Sequence, residues 1–139
     1  MSFKIKIIIL LYVLFIIAPV AFAPVPEEIT IVYSPPLNPY KKIIYAIGMA
    51  ETKCDTMAYN PIEKATGYFQ IRPIRLRDYN NRTGSNYRLA DMYNYEKAEK
   101  VFLYYATQIG PYNFEKIARS WNGSGHLTAY YWNRVKKYL

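Results

Sequence analysis

Apolar and polar residues are arranged in three ways along this chain, and each arrangement predicts a different kind of segment. Residues 7–23, IIILLYVLFIIAPVAFA, are apolar without interruption. Residues 24–39, PVPEEITIVYSPPLNP, hold five prolines and no period, which predicts an extended linker. From Tyr40 onward the helical period of 3.6 takes over. Ile43, Ile47, Ala50 and Cys54 form one stripe of a first helix. Pro73 opens a second at RPIRLRDY, followed by a polar excursion through 80–89. Asn94 is placed to cap a helix running to about Ile109, with Ala98, Val101, Phe102, Tyr105 and Ile109 in register and Gly110-Pro111 to end it. Asn113 caps FEKIARSW, whose apolar face is Phe114, Ile117, Ala118 and Trp121. After NGSG, a last amphipathic helix carries Leu127, Tyr131, Val135 and Tyr138. Between the first two helices, residues 55–71 contain Asn60-Pro61 and Gly67 and read as a loop with a short Tyr-Phe-Gln-Ile segment. No repeat and no βαβ alternation is present. The expectation is a mainly α domain over 40–139, with a loop-rich or short β segment after its first helix.

The apolar run changes the compartment. Lys4 and Lys6 precede it and Ala21-Phe22-Ala23 closes it, the layout of a secretory signal peptide. Pro24 would hinder cleavage at that point, and the run is close to the roughly 17–25 residues that span a bilayer. Residues 1–23 are therefore expected to be a signal peptide or an N-terminal membrane anchor, with attachment through 7–23. The protein is expected in the periplasm or cell envelope. Without the two leader lysines, sixteen basic side chains face ten acidic ones, spread along the chain. That excess suits a partner rich in carboxylates or phosphates. An exported protein with no basic helix and no recognised motif is not expected to bind nucleic acid. A cell wall or an anionic membrane surface fits better.

Cysteine and histidine exclude further chemistry. Cys54 is the only cysteine and His126 the only histidine. No intramolecular disulfide, cysteine-based zinc site or HExxH centre can be built from them. No metal and no cofactor is expected.

The residue that does not fit its surroundings is Glu51. It follows AIGMA and lies about 100° around the helix from Ala50, at the border of the apolar stripe. Beside apolar neighbours a carboxyl has its pKa raised, which lets it serve as a general acid. Protonating a glycosidic oxygen is work for such a group. On Glu51 alone, a solvated helix-end glutamate reads better.

The residues that follow bear on that choice. Glu51-Thr52 is followed by Asp55, Ala58-Tyr59-Asn60-Pro61, Gly67-Tyr68-Phe69-Gln70-Ile71-Arg72-Pro73, NYEKAEKVFLYYA at 94–106, Ala118 to Gly125, and Thr128, Tyr131 and Val135. This ordered set, from about Tyr40 to Leu139, resembles the soluble lytic transglycosylase and goose-type lysozyme family. Its blocks are Glu-Ser, Ala-x-Ser-Pro, Gly-Leu-Met-Gln-x-x-Pro, Ala-x-Tyr-Asn-Ala-Gly and Thr-x-x-Tyr-Val-x-x-Val. The chain departs from the pattern at Thr52 for Ser, at Trp121 for Tyr and at Trp132 for Val. It has one extra residue between Pro61 and Gly67 and lacks one of the family's glycines there.

The resemblance implies a small lysozyme-like α+β domain that cleaves peptidoglycan strands between N-acetylmuramic acid and N-acetylglucosamine, with Glu51 as acid and base. The main expectation is a lytic transglycosylase forming 1,6-anhydro-muropeptides. The alternatives are a hydrolytic lysozyme, with Asp55 at i+4 as a candidate second acid if the helix continues that far and otherwise a helix-end or loop residue; an inactive wall-binding or assembly module, which a filled cleft would favour; and a membrane-active basic protein anchored by the N-terminal run. The substrate-binding candidates each have a plainer reading. Thr52 keeps the family's hydroxyl. Gly67 lets backbone approach a sugar or the catalytic helix, or is a turn glycine. Tyr68 and Phe69 are cleft wall or core. Gln70 offers a donor and an acceptor to a sugar, or lies on the surface. Trp121 stacks on a sugar or directs its N–H toward Glu51, or packs in the core. Asn122 turns the chain at the cleft edge or ends a helix. Tyr131 fixes Glu51 or the substrate, or is a core tyrosine.

Overall fold

The computed structural model describes residues 37–139. The expected signal peptide or anchor and the expected linker as far as residue 36 lie outside the described residues. Five α-helices make up most of what is described: α1 (Lys41–Thr52), α2 (Pro73–Thr83), α3 (Tyr95–Thr107), α4 (Phe114–Asn122) and α5 (Leu127–Val135). A short antiparallel hairpin, β1 (Tyr59–Asn60) with β2 (Ala65–Thr66), lies between α1 and α2. Single 3-10 turns at Leu89–Tyr93 and Lys136–Tyr138 precede α3 and follow α5. The domain is mainly helical with one two-stranded sheet. No described helix is long and apolar enough to cross a membrane.

The helices form where the apolar period and the caps place them. Asn94 and Asn113 accept hydrogen bonds from the Lys97 and Lys116 amides at 3.0 and 2.9 Å, so both side chains satisfy donors that an N-terminus leaves open. Pro73 opens α2 with its fixed φ. That helix runs four residues further into the polar stretch than expected, to Thr83, and Asn80 clamps the backbone of Tyr87 through both ends of its amide, at 2.8 and 3.2 Å.

A second boundary and one buried face also differ from the sequence reading. Helix α1 stops at Thr52, since Lys53 and Cys54 both take left-handed backbone, and Cys54 closes the end by donating its N–H to the Gly48 carbonyl at 3.1 Å. Cys54 still packs on the core, but it is no longer a position of the helical stripe. In α5 the buried face is Thr128, Tyr131 and Val135. Leu127 lies well to one side of that face in the first turn and is 61% exposed.

The core gathers the inner faces of the helices around the turn that follows the hairpin. Phe69 is fully buried and stacks on Phe102 with ring centroids 4.8 Å apart; Trp121 meets Phe102 edge-on at 5.1 Å. Tyr68, next to Phe69, packs against α1. There Gly48 leaves the space: a Cβ on it would fall about 2 Å from the Tyr68 ring. A glycine inside a helix ordinarily costs about 1 kcal/mol relative to alanine, so Gly48→Ala on an unpacked helix would stabilise. Here the overpacking dominates. Gly48→Ala is expected to destabilise the domain by about 1–3 kcal/mol, read as a lower thermal midpoint. A midpoint at or above that of the parent protein would show that the Tyr68 contact does not hold.

Candidate active site

Glu51 is the next-to-last residue of α1, at the negative end of its own helix dipole, where a carboxylate is disfavoured. It faces a narrow polar pocket of about 90 Å³ walled by Glu63, Gln70, Arg72, Arg75, Trp121 and Asn122. Burial holds its pKa above the ordinary carboxylate value of 4.5, and Glu63 adds a smaller push in the same direction. Three groups act the other way: the hydrogen bond from Tyr131, then the charges of Arg134 and Arg72. Tyr131 donates its O–H to Glu51 Oε1 at 2.7 Å. Burial and the nearby carboxyl keep that phenol protonated, well above the usual tyrosine pKa, so it stays a donor. With Oε1 engaged, Oε2 is the oxygen left to hold a proton.

The pocket walls are held by arginines that cap helix ends. Helix α4 ends at Asn122, and its last carbonyls have no helical partner. Arg75 donates to Ser120 and Trp121 O at 3.3 and 2.9 Å, and Arg72 donates to Asn122 O at 3.0 Å. Arg134 does the same for α1 through the carbonyl of Ala50, beside Glu51. Two helix C-termini thus border the pocket, each neutralised by a guanidinium from another element. Arg72 also reaches Glu63 on the hairpin loop at 3.4 Å.

The residues expected at the site divide into two groups. Glu51, Gln70, Trp121 and Asn122 line the pocket, and Tyr131 touches Glu51. Gln70 turns its amide N–H groups inward to Gly67 O and Ala58 O, at 3.1 and 3.4 Å, with its own backbone at a φ of 50°. Trp121 donates its indole N–H to Phe69 O at 3.1 Å, away from Glu51, and Arg75 covers its ring at 4.7 Å, so that face is not free to stack on a sugar. Asn122 both ends α4 and presents its carbonyl at the pocket edge.

The other group stands behind the site. Phe69 is core, and Tyr68 is buried with its hydroxyl 3.3 Å from Cys54 Sγ. Thr52 shares its hydroxyl proton between Gly48 O and Tyr68 O, tying α1 to the turn at 3.3 and 3.2 Å. Gly67 does not approach α1. Its close neighbour is the Met92 carbonyl, 2.0 Å from where a Cβ would be, and its φ is +76°. Asp55 falls outside the pocket. Because α1 ends at Thr52, Asp55 is not one turn along from Glu51; it is exposed and accepts from the Met57 amide at 2.8 Å in the next turn.

Arg72, Arg75, Arg134 and Glu63 complete the site and were not among the expected residues. Two of them carried a signal. Arg72 and Arg75 flank Pro73 at the start of a helix, where positive charge opposes the dipole, a local misfit that points to a tertiary partner. Two larger hollows, of about 370 and 400 Å³, lie away from Glu51, one between α2 and the loop before the first 3-10 turn, the other on the outer face of α4. No three His, Cys, Asp or Glu side chains converge as a metal site among the described residues. No family model, curated protein or solved structure matches this chain.

A raised pKa for Glu51 fixes a sign for stability. The folded state holds this proton more tightly than the unfolded chain, so Glu51 is tolerated best at low pH and becomes a burden as pH rises through its folded pKa. Glu51→Gln keeps an acceptor for Tyr131 and removes the titration. Its thermal midpoint should exceed the parent's at pH 7–8, and the gap should close as pH falls toward 4.5. A gap that does not depend on pH would mean that Glu51 titrates as a solvated carboxyl.

Proposed function

We propose that this protein is an exported peptidoglycan-cleaving enzyme of lysozyme-like fold, acting on the bond between N-acetylmuramic acid and N-acetylglucosamine, with Glu51 as its acid and base. The observation that carries the reading is the Tyr131–Glu51 pair: a mostly buried helix-end carboxyl, raised in pKa, held on one oxygen by a buried phenol and open to a polar pocket on the other side. The ordered resemblance of residues 40–139 to soluble lytic transglycosylases and goose-type lysozymes supports the same assignment, and the excess of basic residues suits an acidic glycan.

The reaction follows from one carboxyl group. Protonated Glu51 gives its proton to the bridging oxygen as the glycosidic bond breaks. The acetamido group of the muramyl sugar stabilises the cation that forms. Glu51, now ionised and still hydrogen-bonded by Tyr131, takes the proton of the muramyl C6 hydroxyl while that oxygen bonds to C1. The product is a 1,6-anhydro sugar, no water is consumed, and Glu51 ends protonated as it began.

Two other readings each have a specific observation. Hydrolysis by a second carboxylate is supported by Glu63, which lines the pocket where Asp55 does not. A binding module without activity is supported by the pocket volume, about 90 Å³, against roughly 300–1,000 Å³ for sites that enclose small molecules.

Mass spectrometry of purified peptidoglycan incubated with the full chain separates the three. The expected result is release of muropeptides one water lighter than hydrolysis products, reduced about 10²–10⁴-fold by Glu51→Gln. Fully hydrated products lost with both Glu51→Gln and Glu63→Gln would assign a lysozyme. No release from folded protein would leave the binding module. The pH profile carries a further expectation. Activity should decline as pH rises through the Glu51 pKa, and Tyr131→Phe, which removes the hydrogen bond that lowers that pKa, should move the declining limb to higher pH. An unmoved limb would separate Tyr131 from the proton on Glu51.

A further inference from the structure

Glu51 faces a pocket too small to hold a sugar ring, so one wall of it has to yield before a glycan can enter. The walls differ in how firmly they are made. Arg75 is stacked on Trp121 and donates to two carbonyls, and Trp121 is anchored through Phe69. Arg72 is fixed from below by its bond to Asn122 O at 3.0 Å. Among the described residues its outward edge meets only Glu63, at 3.4 Å, longer than the roughly 2.7–2.9 Å of a strong charge-assisted bond. The two side chains are 40% and 50% exposed, a setting in which an ion pair adds little stability. Glu63 itself lies on the exposed loop of a hairpin that has only two residue pairs.

The charges say what can replace it. With Glu51 protonated, withdrawal of Glu63 leaves the pocket with the guanidinium groups of Arg72 and Arg75 and no carboxylate. Arg75 is committed to backbone carbonyls and aromatic faces; Arg72 alone has a free edge to offer. Exchanging one carboxylate for another keeps Arg72 hydrogen-bonded throughout. A neutral amide in the same place would leave its charge without a counterpart.

We infer that Arg72 is a specificity-determining residue that binds a carboxylate of the glycan beside the bond to be cleaved, and that Glu63 holds this position until substrate displaces it. The inference rests on the glycosidase reading above and narrows its substrate class. The preferred strands carry free lactyl carboxylates on their muramyl sugars, as left when the peptide stems have been removed. Strands whose lactyl groups are amidated are the poorer ligands.

Binding to strands that are not consumed tests this directly. Full-chain protein carrying Glu51→Gln is titrated with peptide-stripped glycan strands, and with the same strands after their carboxylates are capped as methylamides. The free-acid strands should bind about tenfold more tightly, the scale of one charged hydrogen-bonded contact. Arg72→Gln should bring the two to parity, and Arg72→Lys should keep part of the preference. Glu63→Gln, a change on an exposed loop that leaves the fold in place, should tighten the free-acid strands several-fold, by about three- to fivefold. A preference that survives Arg72→Gln, or one that Glu63→Gln leaves unchanged, overturns the inference. Equal binding of both strand types, alongside Glu51-dependent release of muropeptides by the parent chain, overturns it and leaves the glycosidase reading intact. No binding of either strand and no release overturns both.

Discussion

A carboxyl group buried at the negative end of its own helix is the constraint around which this domain is arranged. Position and desolvation both disfavour the charged form of Glu51. A carboxyl left there without partners would simply remain neutral. The structure counters the penalty part of the way: Tyr131 donates one short hydrogen bond, Arg134 neutralises the helix end through Ala50 O, and Arg72 contributes charge from across the pocket. The residual balance still favours the proton. The proposed role of Glu51, giving up a proton and taking one back within a single turnover, suits that intermediate position, between a solvated carboxylate and a permanently neutral acid.

What holds the constellation in place is the core and not the pocket surface. The turn at residues 67–70 delivers Tyr68 and Phe69 inward, and each is the hinge of a long-range contact. Tyr68 fills the notch that Gly48 leaves on α1, while Thr52 ties the same helix to the Tyr68 carbonyl. Phe69 stacks on α3 through Phe102 and gives its carbonyl to Trp121 of α4. One four-residue turn thereby sets the distance between the end of α1, which carries Glu51, and the end of α4, which carries the facing wall. Gln70 takes a left-handed backbone to complete the turn, at a cost of about 1 kcal/mol for a residue with a side chain, and its amide returns two hydrogen bonds to Gly67 and Ala58.

The parts of this arrangement that obey local rules could be read from the chain. Asn94 and Asn113 cap helices because their side chains reach amides only three residues away, and the apolar period marks Ile43, Ile47, Ala98, Phe102 and Ile117 as core. Most of what was missed depends on a partner distant in sequence, and the end of α1 on a local backbone reversal. Asp55 as a second acid required the helix to continue; the left-handed Lys53 and Cys54 end it and leave Asp55 a loop residue, its plainer reading. Of the readings open for Gly67, the turn glycine fits its φ of +76° and the Gln70 bond to its carbonyl, and the close approach it allows is to the backbone at Met92. Arg72 and Arg75 bond to residues about 45 to 50 positions away, and Arg134 to one 84 away. Glu63, on an exposed loop, carried no local sign of a role.

The ion pair between Glu63 and Arg72 also bears on which chemistry the pocket supports. A carboxylate that activates water must stand beside the substrate, with its oxygens free, throughout the reaction. Glu63 meets neither condition while it is engaged by Arg72 across a pocket of about 90 Å³. If the loop withdraws to admit a glycan, Glu63 leaves the reacting centre with it. The two roles of gate and base therefore exclude each other, and the loose geometry of the pair favours the gate. In the proposed reaction Glu51 is then the one carboxyl left beside the pocket, and a mechanism that returns its proton from the sugar's own C6 hydroxyl needs no other.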